Sequence, residues 1–160
     1  MLKDAFVKHL NDTQEDTSVD VQSNAVKQIQ KTSGILKEQN LILIVETLAD
    51  MVVDANKKEV RDIYALAIKS TIQELKENAA TNMIKAVYPK LFKGLKQANT
   101  EVQEECLEIL AEIFKTFGQL LYKKSNLVNK DDLMKMICDL LQLQNEGVRK
   151  KATNCLGQFA

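Results

Sequence analysis

Very little in this sequence breaks or bends a chain. Its 160 residues include no tryptophan, one proline and five glycines, too few turn-formers for a protein of short β-strands. There is one histidine, His9, so no Ser/His/Asp or Cys/His arrangement can be assembled around a base. The glycines are scattered, and none lies in a phosphate-cradling loop. The three cysteines, Cys106, Cys138 and Cys155, are spaced by 32 and 17 residues, which fits no zinc pattern. All three stand in apolar, helix-patterned surroundings and read as buried, reduced core thiols, as suits a cytoplasmic and nuclear protein. No sign of charge prevails: 22 Lys and Arg balance 22 Asp and Glu, which argues against a nucleic-acid binder. No apolar run reaches the roughly 18 residues of a membrane helix. Lys3 and Asp4 interrupt any signal peptide at the start. These absences predict a chain with no catalytic residues, no metal and no cofactor, one that meets neither nucleic acid nor membrane.

What is present is a 45% hydrophobic, 28% charged chain with helical spacing throughout. One frame recurs four times: "SVDVQSNAVKQI" on Val21, "KKEVRDIYALAI" on Val60, "NTEVQEECLEIL" on Val102 and "NEGVRKKATNCL" on Val148, in steps of 39, 42 and 46 residues. Four positions after the valine come Ala25, Tyr64, Cys106 and Ala152; eight after it come Ile29, Ile68, Leu110 and Leu156. Positions 0, +4 and +8 share a helical face, so each stretch is an amphipathic helix. Ser18, Asn56, Asn99 and Asn145 stand where they can cap these helices, and Thr100 with Gln103 can form a capping box. Before each lies another helix. Met83, Ile84, Val87, Tyr88, Leu91, Phe92 and Leu95 mark one, and Leu133, Ile137, Leu140 and Leu141 another. "LILIV" at 41–45 has the look of a buried strand, but Leu41, Ile44, Val45, Leu48 and Val52 continue a helical period through it. Residues 2–10 give a shorter first member.

A helix–turn–helix unit with a period of about 40 residues is the signature of a HEAT or armadillo-type solenoid. The expected fold is all-α: eight helices in four antiparallel pairs, with units at about 1–34, 35–77, 78–122 and 123–160. Stacked units share one core that no single pair can make alone. The pattern runs to the final residue and the first helix is short, so the chain reads as a fragment of a longer array. The apolar faces at its ends, including Cys155, Leu156 and Phe159, predict weak self-association. Pro89 lies in the first helix of its unit, where it removes a backbone hydrogen bond and bends the helix. The only two arginines, Arg61 and Arg149, hold the same frame position among 20 lysines. A planar five-donor fork there suits bonds to turn carboxylates and carbonyls of neighbouring repeats better than it suits a ligand.

With no chemistry in view, function falls to the surface. Frame positions +2, +3, +6 and +10 point outward on the second helices. In the third unit they are Glu104, Glu105, Glu108 and Glu112, with Glu101 extending an acidic stripe, which reads first as a solvated face and otherwise as an electrostatic contact for a basic partner. In the second unit Asp62, Ile63 and Leu66 place two apolar residues beside it, which either pack against the neighbouring repeat or form a small exposed apolar patch. Apolar contact rimmed by charge is ordinary interface anatomy. We therefore take Asp62, Ile63, Leu66, Glu104, Glu105, Glu108 and Glu112 as the candidate partner-binding residues.

The stretches "DVQSNAVKQI", "EVRDIYALAIKSTIQEL" and "VRKKATNCLGQFA" resemble the amino-terminal repeats of the cullin-associated, neddylation-dissociated family, the cullin exchange factors also described as TATA-binding-protein-interacting. The resemblance covers essentially the whole chain. It implies a HEAT superhelix that wraps an unmodified cullin–RING ubiquitin ligase scaffold and regulates its assembly. The implied partners are a cullin and its RING subunit. It further implies that a fragment of this size binds without exchanging substrate receptors, because the family's receptor-blocking hairpin lies far beyond it. A scaffold of another assembly, such as a phosphatase scaffold or nuclear transport receptor, and an accessory domain of a larger enzyme remain the alternatives.

Overall fold

A computed structural model describes residues 38–160, with Lys27 as one isolated helical position before them. The expectations for residues 2–10, His9, Ser18, Val21, Ala25 and Ile29 lie outside the described residues. The rest is six helices: α1 Glu38–Asp54, α2 Lys58–Glu74, α3 Glu77–Leu95, α4 Thr100–Lys123, α5 Lys130–Leu141 and α6 Glu146–Phe159. There is no strand among the described residues, and residues 41–45 lie inside α1. The helices pair as α1/α2, α3/α4 and α5/α6. First helices stack on one side, α1 on α3; second helices stack on the other, α2 on α4 on α6. The protein is an all-α helical-repeat solenoid.

The frame residues build its interior. Val102, Val148, Tyr64, Ile68, Cys106, Leu110 and Ala152 are buried in one continuous core. Val60 and Leu156 are only partly buried and pack on its edge. Val60 sits in the first turn of α2. Leu156 lies on α6, which has only α4 and α5 packed closely against it among the described residues. Burial of these apolar faces contributes about 25 cal/mol per Å² removed from water, which no isolated helix pair could match.

Helix starts differ from expectation in two places. Asn99 caps α4, accepting from the N–H groups of Glu101 at 3.0 Å and Val102 at 3.4 Å, and Asn145 caps α6 from Val148 at 2.9 Å. Asn129, which the frame did not mark, caps α5. Asn56 does not cap α2; the position falls to Lys57, without a side-chain bond. The Thr100–Gln103 box does not form either. Gln103 is buried and turns back, donating to the carbonyls of Gln97 at 2.6 Å and Leu95 at 3.3 Å.

That turned glutamine shares its frame position with the two arginines. Arg61 donates to Ala55 O at 2.6 Å, and Arg149 to Leu143 O and Gln144 O at 2.8 Å each. In all three units, the residue after the frame valine closes the turn between its own two helices. Arg61, 1% exposed, also reaches Glu101 of the next unit at 2.9 Å. The arginines are turn clasps.

Three further features follow from packing. Pro89 is an exposed residue within a continuous α3. Phe117 has non-helical backbone angles (φ −121°, ψ 22°), so α4 is two helical segments joined at a buried aromatic. Cys106 and Cys155 are buried, and burial pushes each thiol up to about 12. Cys138 is exposed, contrary to the expectation for all three. It falls on the outer side of α5, off the stripe of Leu133, Ile137 and Leu140.

Candidate protein-binding face

The stacked second helices place all seven candidate residues on one layer, Asp62, Ile63 and Leu66 on α2 and Glu104, Glu105, Glu108 and Glu112 on α4. Spacing of three to four residues lines up the α4 glutamates as expected. What the spacing could not show is what α2 and α6 bring opposite them.

Glu108 stands between two cations. Lys69 of α2 bonds its Oε2 at 2.7 Å, and Lys151 of α6 bonds its Oε1. Glu112 accepts from Gln73 of α2 at 3.0 Å and lies 3.9 Å from Lys115. Glu101 takes Arg61. The Glu104 carboxylate lies so close to Gly147, in the first turn of α6, that a β-carbon there would collide with it. An anion is favoured at this positive end of a helix. Glu105 is half-buried; burial, and behind it the Asp62 carboxylate, raises its pKa against the opposing pull of Lys69 and Lys151. The stripe thus stitches three units together, and much of its charge is met within the protein.

The α2 residues are freer. Leu66 is 58% exposed, and Asp62 one turn before it is exposed. Ile63 is partly buried and packs on the core edge, so it offers less apolar surface than Leu66. The layer therefore presents an apolar point beside an acid, next to a carboxylate-rich seam. No group of three or more metal-ligating side chains occurs among the described residues.

Together the fold and this face define a class: helical-repeat proteins, here with an exposed apolar residue beside a carboxylate-rich seam. The chain is similar in sequence to the cullin-associated NEDD8-dissociated proteins. It is 28% identical over 141 residues to cullin-associated NEDD8-dissociated protein 1 of Drosophila melanogaster, covering 86% of this chain and 11% of that one. It is 21% identical over 148 residues to the Arabidopsis thaliana protein of that name, covering 91% and 12%. It is 30% identical over 153 residues to cullin-associated NEDD8-dissociated protein 2 of Mus musculus, again covering 91% and 12%. The chain thus spans about a tenth of the length of these relatives. No family model matches it. Among solved structures, a crystal structure of an engineered protein superposes with a TM-score of 0.62 at 19% identity, covering 99% of this chain and 62% of the other, which bears on fold alone.

Proposed function

We propose that this chain is a non-catalytic scaffold that binds an unmodified cullin–RING complex through the α2/α4 face and serves the regulation of ligase assembly in cytoplasm and nucleus. The observation that carries the reading is its relation, across some nine-tenths of its length in two comparisons, to proteins named for cullin association. The surface is compatible in kind. Leu66 is an exposed apolar anchor, and Asp62, Glu104 and Glu105 supply charge around it. Buried anchors govern dissociation, whereas rim charges govern encounter and salt dependence.

The test is binding kinetics of the chain with purified unmodified cullin–RING complex at two salt concentrations. Leu66→Asp should raise the off-rate about tenfold, the effect of losing a modest anchor. Asp62→Lys, at the exposed acid one turn before Leu66, should mainly slow association and flatten its salt dependence. Glu108 is left intact, because replacing it would unpair two lysines and confound binding with folding. Failure of the parent chain to retain the complex would overturn the reading. If the parent binds and every variant matches it, the contact lies off this face.

A further inference from the structure

The other layer of the solenoid carries a surface that the cullin reading does not use. Along the outside of α3, Lys85, Pro89, Phe92, Lys93 and Lys96 fall within one helical stripe, because steps of three and four residues return to the same side. Lys85, Pro89, Lys93 and Lys96 are exposed, and Phe92 is partly so. Lys85 and Lys93 make no ion pair among the described residues. The Lys96 ammonium lies 4.6 Å from the centre of the Phe92 ring, which holds that cation at the edge of the apolar spot. Tyr88 backs the same ring at 5.7 Å between centroids.

The flanks explain why the stripe stays narrow. Lys90, a quarter-turn aside, is bonded to Asp50 of α1 at 2.5 Å and lies 3.6 Å from Glu46. Burial alone would lower its pKa, but the hydrogen bonds and charges of Asp50 and Glu46 raise it. On the other side Asp132 of α5 faces Tyr88 and accepts from Asn129 at 2.7 Å. The free cations are thus confined to one helix width between two acidic margins. They bracket a ring and a proline over about 16 Å, counting 1.5 Å per residue from Lys85 to Lys96.

We propose that this ridge docks an acidic peptide segment of a partner protein, with an apolar side chain set between its carboxylates. About five extended residues, at about 3.3 Å each, match the ridge. Charge complementarity selects the acidic residues, and Pro89 with Phe92 receives the apolar one. A nucleic acid would call for a broader basic field than a single helix bounded by Asp50 and Asp132, in a chain with no net charge. An anionic membrane would call for large exposed apolar residues beside the lysines.

The probe is a fluorescently labelled Glu-Glu-Leu-Glu-Glu peptide titrated with the whole chain and followed by anisotropy. Saturable binding that weakens with added salt is expected. Replacing the central leucine by glycine should weaken it several-fold. The triple variant Lys85→Glu, Lys93→Glu, Lys96→Glu should weaken it at least about tenfold, as the loss of three exposed charge contacts. A control with the same change of net charge, Lys123→Glu, Lys135→Glu, Lys150→Glu, should bind as the parent does. Both triple variants are checked by circular dichroism, and an unfolded ridge variant is replaced by Lys85→Gln, Lys93→Gln, Lys96→Gln. No binding, equal losses in ridge and control variants, or tighter capture of a single-stranded RNA or of phosphatidylserine vesicles than of the peptide would overturn the assignment.

Discussion

Gly94 is the place where a single methyl group tests the packing most directly. It is the penultimate residue of α3 and is buried at the junction of α1, α3 and α4. A β-carbon there would lie 2.5 Å from Cys106 Sγ, 3.2 Å from Val53 Cγ2 and 3.4 Å from Val102 Cγ1. Relaxed contacts run at about 3.5–4.0 Å, so the sulfur is roughly 1 Å too near. Cys106 has no exposed surface, and any movement displaces other core atoms. Overpacking of this kind costs about 1–3 kcal/mol. Against it stands the better helix propensity of alanine, up to about 1 kcal/mol in a helix interior and less at the last turn. Gly94→Ala should therefore destabilise by about 1–2 kcal/mol. Cys106→Ala, which removes the offending sulfur, should cost about 1 kcal/mol alone through lost contacts. In the double variant the nearest contact becomes Val53 at 3.2 Å, so the costs should not add; a favourable coupling of about 1 kcal/mol is expected. Urea unfolding followed by far-ultraviolet circular dichroism on the four proteins closes the cycle. Gly94→Ala as stable as the parent, or strictly additive costs, would refute the argument that α3 and α4 need this glycine to approach.

Arg61→Met should cost about 2–4 kcal/mol in urea unfolding, because it strips Ala55 O and Glu101 of their donor, and Arg61→Lys should recover only part. Glu108→Gln should cost about 1 kcal/mol at low salt and less in high salt, since it weakens two partly exposed ion pairs. The thiols give a pH test. In the folded protein Cys106 and Cys155 stay protonated to about pH 12, whereas an unfolded thiol ionises near its ordinary value of about 8.5. Stability they contribute is complete below that value and falls as pH rises toward the folded one. At mildly alkaline pH a thiol reagent should label Cys138 at once and the other two only on unfolding; rapid labelling of all three would contradict the packing.

The fold was legible because a repeat states its own rule several times. Val60, Val102 and Val148 marked three second helices, and the period through residues 41–45 settled a helix where composition alone suggested a strand. The shared position of Arg61 and Arg149 pointed to turn groups of neighbouring repeats, but the carbonyls they bond lie in their own turns, and only Arg61 also reaches the next unit, at Glu101. Periodicity names the residues that share a face of one helix, but it is silent about what the next helix places opposite. The partners of Glu108 lie 39 and 43 residues away, so a stripe that looked solvated turned out to be a seam. Local chemistry misled for a similar reason. Asn56 is a good capping residue, but it stands four residues before its frame valine, whereas Asn99 and Asn145, which do cap, stand three before theirs, and that place falls to Lys57. Thr100 and Gln103 fit a capping box, but Asn99 holds the cap and Gln103 is drawn to carbonyls of the turn. The break at Phe117 had only a weak sequence signal, the Gly118 that follows it.

The ties of the α4 seam also bear on the order of the units. The apolar frame is nearly the same in each unit, so hydrophobic burial alone would let one unit stack almost as well on another, or on a copy of itself. Lys69 before Glu108 and Lys151 after it, with Arg61 reaching forward to Glu101 and Glu104 resting on the turn at Gly147, match only when α2, α4 and α6 follow in sequence. A copy of α4 stacked on α4 would set carboxylates against carboxylates, and α6 set directly on α2 would bring Lys69 toward Lys151. The charges thus act as an address, telling each unit which neighbour is its own.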